Sequence, residues 1–198
     1  MGASASLHEA TVVLDDRPVL RSVSLDLGAG LTLVRGANGA GKTTLLRAFA
    51  GLVTLAKGAR AVPGPPLYIG HRPMLMRGLT ATANLAFFAS FRGRPKTDVA
   101  GVLRRWGLGE TMRHPVERLS AGQRKRAALA RLESEPEPLV LLDEPFADLD
   151  TDGVLLVRAA IASALVRGQI ILLATHFHEE LDRDATARFV LVGGELRR

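Results

Sequence analysis

Apolar residues recur along this chain with two different periods. Thr11 to Leu14, Val23 to Leu27 and Leu31 to Arg35 are short alternating or continuous apolar stretches bounded by Asp, Gly and Pro, which predicts strands. From Lys42 to Ala50 the period becomes helical, with Leu45, Leu46 and Phe49 on one face and Gly51 placed as a C-cap. A strand pair is expected near Ala61 and at Leu67 to Gly70, with Pro63, Gly64, Pro65 and Pro66 as its turn. Between Leu79 and Trp106 the helical period returns. Thr80 can cap a helix carrying Leu85, Phe87 and Phe88, while Val99, Val102, Leu103 and Trp106 share a face of another. Pro136 and Pro138 precede Leu139 to Leu142, a fully apolar run of the kind buried in parallel sheets. A helix over Val154 to Val166, a second buried strand at Ile170 to Ala174 and a last strand at Phe189 to Val192 complete an α/β pattern without internal repeats.

Composition narrows the function classes. At 198 residues the chain fits one domain with a sizeable core. It has no cysteine, which excludes disulfides, thiolate metal sites and thiol catalysis, and suits a reducing compartment. The formal net charge of +6 would suit nucleic acid or anionic lipid as a partner. The basic residues are nevertheless scattered, and the run Arg124 to Arg126 falls on an expected helix without the interleaved aromatics of single-strand binders. No direct nucleic-acid partner is therefore expected. The longest apolar stretch, Ile161 to Ala174, is broken by Arg167, Gly168 and Gln169, short of the roughly 20 apolar residues of a membrane helix. Membrane contact is expected only through partners. The first ten residues lack the basic start and apolar core of a secretory signal. Gly2 and Ser6 fit the short, permissive N-myristoylation pattern.

The chemistry begins at Gly36, Ala37, Asn38, Gly39, Ala40, Gly41, Lys42, Thr43 and Thr44, which fit GxxxxGK[ST] between an expected strand and an expected helix. The glycines let backbone N–H groups turn toward phosphates, and the helix N-terminus adds its dipole. Lys42 then reaches the β and γ phosphates of a nucleotide, and the Thr43 hydroxyl can ligate Mg2+. Asp143 and Glu144 end the apolar run Leu139 to Leu142, where open α/β sheets place their ligands. Asp143 would hold Mg2+, and Glu144 would polarise the attacking water. Ser120, in Leu119-Ser120-Ala121-Gly122-Gln123, reads by itself as an N-cap followed by a helix from Gln123 to Arg131.

GANGAGKTT, LSAGQ and LLDEP in that order resemble the ATP-binding cassette (ABC) family over nearly the whole chain. The resemblance implies a P-loop NTPase α/β fold with a mostly parallel core sheet, an antiparallel β subdomain and an inserted helical subdomain. It places the catalytic core with its β subdomain at residues 1–71 and 119–198, and the helical subdomain at about 72–118. It also implies a homodimer in which one subunit's phosphate loop and the other's Ser120, Gly122 and Gln123 enclose ATP. His176 matches the family's switch histidine and Asp150 its aspartate between the two sites, whereas His178 has no such match. Catalysis would then rest on Glu144, His176 and Lys42. The implied partners are integral membrane subunits, which place the chain peripherally on the cytoplasmic face of the inner membrane.

Within the family, YIGHRP, LTATANLAFF and LSAGQRKRAALARL most resemble the ATPase subunits of haem export in cytochrome c biogenesis. The catalytic residues equally fit the ATPase of another exporter, and a soluble cassette acting on nucleic acid is a further alternative. Two departures stand out. Arg72 occupies the place of the family's glutamine, and a guanidinium, which only donates, cannot ligate a cation. Arg72 is therefore expected to point toward a partner or to pair with phosphate. No stacking aromatic precedes the phosphate loop, where Val12, Val13 and Leu14 lie instead, so adenine would be held by aliphatic contact.

Overall fold

The computed structural model describes residues 3–176 and 179–198, with backbone alone for Glu179 and Glu180. Gly2 and His178 lie outside the described residues. The chain divides into two compact units, Met1–Gly70 with Glu137–Glu144 and Leu165–Arg198, and His71–Pro136 with Pro145–Ala164.

The first unit is built on two sheets. β1 (Ala5–Leu14) and β2 (Arg17–Leu27) pair antiparallel around the turn at Asp15 and Asp16. Both strands are longer than the expected Thr11 to Leu14 and Val23 to Leu27, because register shifts near Glu9, at φ 46°, interrupt the alternation on which the sequence reading relied. β3 (Gly30–Arg35) runs into the glycine-rich loop and α1 (Lys42–Ala50), which Gly51 closes in the left-handed conformation. β4 (Lys57–Ala61) and β5 (Leu67–Ile69) follow.

The expected pairing of β4 with β5 does not occur. β4 joins β1 antiparallel, whereas β5 lies parallel to β6 (Leu139–Asp143). Proline cannot donate to a ladder, and three prolines in Pro63–Pro66 make the segment a crossing between sheets rather than a hairpin turn. β7 (Ile170–Ala174), β8 (Ala185–Val192) and β9 (Glu195–Arg197) complete a six-stranded sheet in the order β5-β6-β7-β3-β8-β9, parallel except for β9. β9 follows the last strand that the apolar pattern predicts. Its signal is the pair Gly193-Gly194, at φ 57° and 85°, which forms the two-residue turn of a hairpin.

β6 and β7 are buried at every position, as their unbroken apolar runs require. α1 packs Leu45, Leu46 and Phe49 into a core shared with Leu7, Leu20 and Leu25 of the antiparallel sheet and Leu141 and Leu172 of the parallel one. The parallel strands are in register at their C-terminal ends, Asp143 beside Ala174 and Ala174 beside Val34. That edge collects everything that follows these strands.

The second unit is helical: α2 (Ala81–Phe91), α3 (Val99–Arg105), α4 (Ala121–Leu129), α5 (Arg131–Ser134) and most of α6 (Thr151–Val166). Thr80 caps α2 by accepting from the Ala83 N–H at 3.0 Å. The helix expected from Gln123 to Arg131 instead starts at Ala121 and gives way after Leu129 to a separate short helix. Arg131 sits in the interior, pairing with Glu135 at 2.6 Å and stacking 3.8 Å from the Phe88 ring centre. The chain's +6 charge, scattered to the eye in sequence, belongs entirely to this unit; acids and bases balance in the other. Among the described residues no helix is long and apolar enough to cross a membrane.

Candidate nucleotide site

The loop between β3 and α1 carries the geometry of an anion cradle. Gly36 is at φ 150°, and a Cβ there would stand 2.4 Å from the Leu191 carbonyl oxygen. Gly41, at φ 105°, precedes α1 without any side-chain cap, and the first turn of α1 holds no acidic residue. The leading N–H groups of that helix are thus not taken by a capping side chain, which favours an anion. Lys42 is buried, and its Nζ donates to the carbonyls of Gly36 at 2.7 Å and Ala37 at 3.1 Å. Burial lowers its pKa, while the nearby carboxylates of Glu144 and Asp143 pull in the opposite direction.

Asp143 and Glu144 differ in setting. Asp143 is 3% exposed and accepts from the Thr43 hydroxyl at 2.8 Å. These two hard oxygen donors, side by side at a phosphate cradle, fit Mg2+, which takes few protein ligands and completes its shell with phosphate and water. Glu144 has its backbone in the left-handed region, at φ 46°, and is held there by its N–H donating to the Ala174 carbonyl at 2.9 Å. Its Oε1 lies 3.3 Å from His176 Nε2 without the alignment of a hydrogen bond, and Oε2 accepts weakly from the His176 N–H at 3.4 Å. The His176 ring also stands 3.4 to 3.5 Å from Lys42 Nζ through both its nitrogens. Lys42, Thr43, Asp143, Glu144 and His176 thus meet at one sheet edge although their strands are far apart in sequence.

The other singled-out residues are in the second unit. Ser120 is the N-cap of α4 and forms a reciprocal capping box with Gln123: Ser120 Oγ accepts from the Gln123 N–H at 3.1 Å, and Gln123 Oε1 accepts from the Ser120 N–H at 2.9 Å. Gly122 faces the Asp148 carbonyl, 3.0 Å from where a Cβ would be, so glycine admits that close approach. Asp150 is exposed and accepts from the Gly153 N–H at 2.8 Å, capping α6. Lys125, in the same helix as Gln123, is fully buried and donates to the His71 carbonyl at 3.0 Å, a contact sequence reasoning missed. It had no sequence signal, since a lysine between two arginines reads as solvated.

Arg72 is exposed and makes no hydrogen bond or ion pair among the described residues. Arg72→Gln should therefore leave thermal stability within about 0.5 kcal/mol of the parent. The magnesium dependence of ATP turnover should not change either. A magnesium titration of both proteins checks this, and a displaced midpoint would assign the position to the metal site. Of the three aliphatics ahead of the loop, Val12 is fully buried in the core, leaving Val13 and Leu14, 43% and 40% exposed, to offer a surface.

A phosphate cradle at the carboxyl edge of a parallel sheet, with a strand-ending carboxylate pair, defines a nucleotide-hydrolysing α/β protein. The sequence profile of the ABC transporter family matches residues 20–147. The chain belongs to that family, is an ATPase of it, and binds ATP. It is 40% identical over 181 residues to the cytochrome c biogenesis ATP-binding export protein CcmA of Xanthomonas axonopodis pv. citri, covering 85% of each chain. The protein of the same name from Paracoccus denitrificans is 43% identical over 159 residues, 79% of this chain and 75% of that one. The CcmA 1 protein of Salmonella paratyphi A is 38% identical over 194 residues, covering 91% of this chain and 93% of its own. Among solved structures, the ATP-binding subunit of an ABC transporter superposes with a TM-score of 0.87 at 22% identity, covering 98% of this chain and 88% of its own. A dimeric ATP-binding cassette in a post-hydrolysis state bound to ADP and Pi also gives 0.87, at 21% identity and with 98% and 97% covered. These two matches show the ABC ATPase fold.

Proposed function

We propose that this chain is the ATP-hydrolysing subunit of an inner-membrane export complex that serves cytochrome c biogenesis, coupling turnover to haem transfer or to release of the haem chaperone. The observation that carries the pathway is identity of 38% to 43% to relatives named for cytochrome c biogenesis export, over most of both chains. The convergence of Lys42, Asp143, Glu144 and His176 supports the chemistry.

In this reading the loop Gly36–Thr44 and the N-terminus of α1 bind the ATP phosphates, and Lys42 exchanges its loop carbonyls for phosphate oxygens. Thr43 and Asp143 hold Mg2+, which when bound offsets charge on the phosphates. Glu144 accepts the proton of the attacking water, or orients it, and His176 stands ready to contact the γ phosphate. A second copy supplies Ser120, Gly122 and Gln123 from the start of α4, where helix N–H groups favour anionic oxygen. Asp150 relays between the two sites. Residues 1–198 act as a single ATPase domain, and His178 is incidental. Integral membrane subunits are the other partners, no nucleic acid is bound directly, and the positive surplus of the helical unit suits the anionic cytoplasmic leaflet near which such subunits hold it.

The test is complementation. In a strain lacking its cytochrome c biogenesis ATP-binding export protein, this chain expressed with its own membrane subunits should restore haem-staining c-type cytochromes. Restoration should vanish with Glu144→Gln. Active ATPase without restoration would remove the pathway and leave an ATPase of another exporter.

A further inference from the structure

Asp182 makes contacts that no step of the hydrolysis uses. It lies in the short 3-10 turn Glu179–Arg183, downstream of His176 in the connection to β8. Its carboxylate accepts from Arg35 Nη2 at 2.9 Å on Oδ1 and 3.0 Å on Oδ2, and from Arg188 Nε at 3.2 Å. The Asp182 carbonyl accepts a further hydrogen bond from Arg188 Nη2. Arg35 is the last residue of β3, directly before Gly36 of the phosphate loop, and Arg188 sits on β8 opposite Leu33 of β3. Upstream of His176, the Thr175 N–H donates to the Val34 carbonyl of the same strand at 3.2 Å. Described residues on both sides of His176, Thr175 before it and Asp182 after it, are therefore fastened to β3.

Among the described residues, His176 has little of its own to hold it between those fastenings. Its ring is 40% exposed, and its contacts with Glu144 and Lys42 are all 3.3 Å or longer. A side chain whose contacts with described residues are this long takes its position largely from its backbone. Side-chain exposures of 30% for Arg35, 29% for Asp182 and 51% for Arg188 mean that these ion pairs add little to folding stability. Their geometric consequence is larger, since a misplacement of about 1 Å in a reacting site can cost on the order of 10²-fold in rate.

We propose that Asp182, clamped by Arg35 and Arg188, is a positioning residue for His176, tying the turn Glu179–Arg183 to the strand that ends in the phosphate loop and so setting the hydrolysis rate. This rests on the reading of His176 as a group that acts on ATP. The clamp touches neither nucleotide nor water. Its removal lowers kcat and leaves the KM for ATP in place.

The experiment compares the purified full-length protein with Asp182→Asn, Asp182→Glu, His176→Ala and the double variant Asp182→Asn/His176→Ala. Asp182→Asn should lower kcat by roughly 10-fold to 10²-fold, with KM and thermal midpoint near those of the parent. Asp182→Glu should recover most of the rate. In the His176→Ala background, Asp182→Asn should cost nothing further. A wild-type kcat in Asp182→Asn, or the same fold loss with and without His176, overturns the clamp while leaving the role of His176 intact. Full activity in His176→Ala overturns the role of His176 itself, and the clamp with it. Should Asp182→Asn not fold, Arg35→Gln removes the same bidentate contact and is read in the same way.

Discussion

Glu144→Gln should abolish turnover while ATP stays bound. A positioned general base contributes roughly 10²-fold to 10⁴-fold, and the amide cannot take a proton from water. The substitution changes neither shape nor backbone demand, since Gln has the same Cβ that Glu144 already carries at φ 46°. Nucleotide affinity should hold, because in the proposed site the groups that grip phosphate belong to the loop before α1. In the proposed two-site arrangement the protein should then accumulate as an ATP-bound dimer. Size-exclusion chromatography with light scattering at saturating ATP and magnesium, beside a phosphate-release assay, reads both effects. A monomer under those conditions would count against the second copy's part in the site.

Lys42→Ala should fail in the opposite order, at binding before chemistry. Its Nζ already lies 2.7 Å and 3.1 Å from loop carbonyls and the residue is only 7% exposed, so in the proposed site a phosphate oxygen has merely to replace those acceptors. A hydrogen bond to a charged group is worth about 1.5–3 kcal/mol, which corresponds to roughly a 10-fold to 10²-fold loss of affinity. The loss should be larger for ATP than for ADP, since in the proposed site Lys42 reaches the γ phosphate as well as the β. Removing the cation also leaves the carboxylates of Asp143 and Glu144 without their nearby positive charge, which weakens hydrolysis in whatever ATP still binds. Lys42→Arg should not rescue, because a planar fork does not replace a point charge between two carbonyls. Equilibrium titration with a fluorescent ATP analogue separates this variant from Glu144→Gln, which should titrate like the parent.

What the sequence disclosed and what it hid divide along a physical line. The loop Gly36–Thr44, the buried runs Leu139–Asp143 and Ile170–Ala174 and the cap at Thr80 are local, and a local pattern needs no knowledge of the partner. The choice made by β4 and β5 is not local: each found its neighbour in a different sheet, and only the prolines between them hinted at it. β9 and the capping box of Ser120 and Gln123 did have local signals, in Gly193-Gly194 and in the spacing S-x-x-Q. Both signals are only two to four residues long, shorter than the periodic runs beside them. Arg35 with Asp182, and Lys125 with His71, are pairs 147 and 54 residues apart, and no spacing rule reaches that far.

The left-handed backbone at Glu144 has a consequence for how this protein can change. A residue other than glycine held in that region costs on the order of 1–3 kcal/mol, borne by the surrounding structure. Glycine at this position would relieve that cost and remove the carboxylate in one substitution. If Glu144 acts on water as proposed, selection for robustness alone would favour an inert cassette, and only selection for turnover would oppose it.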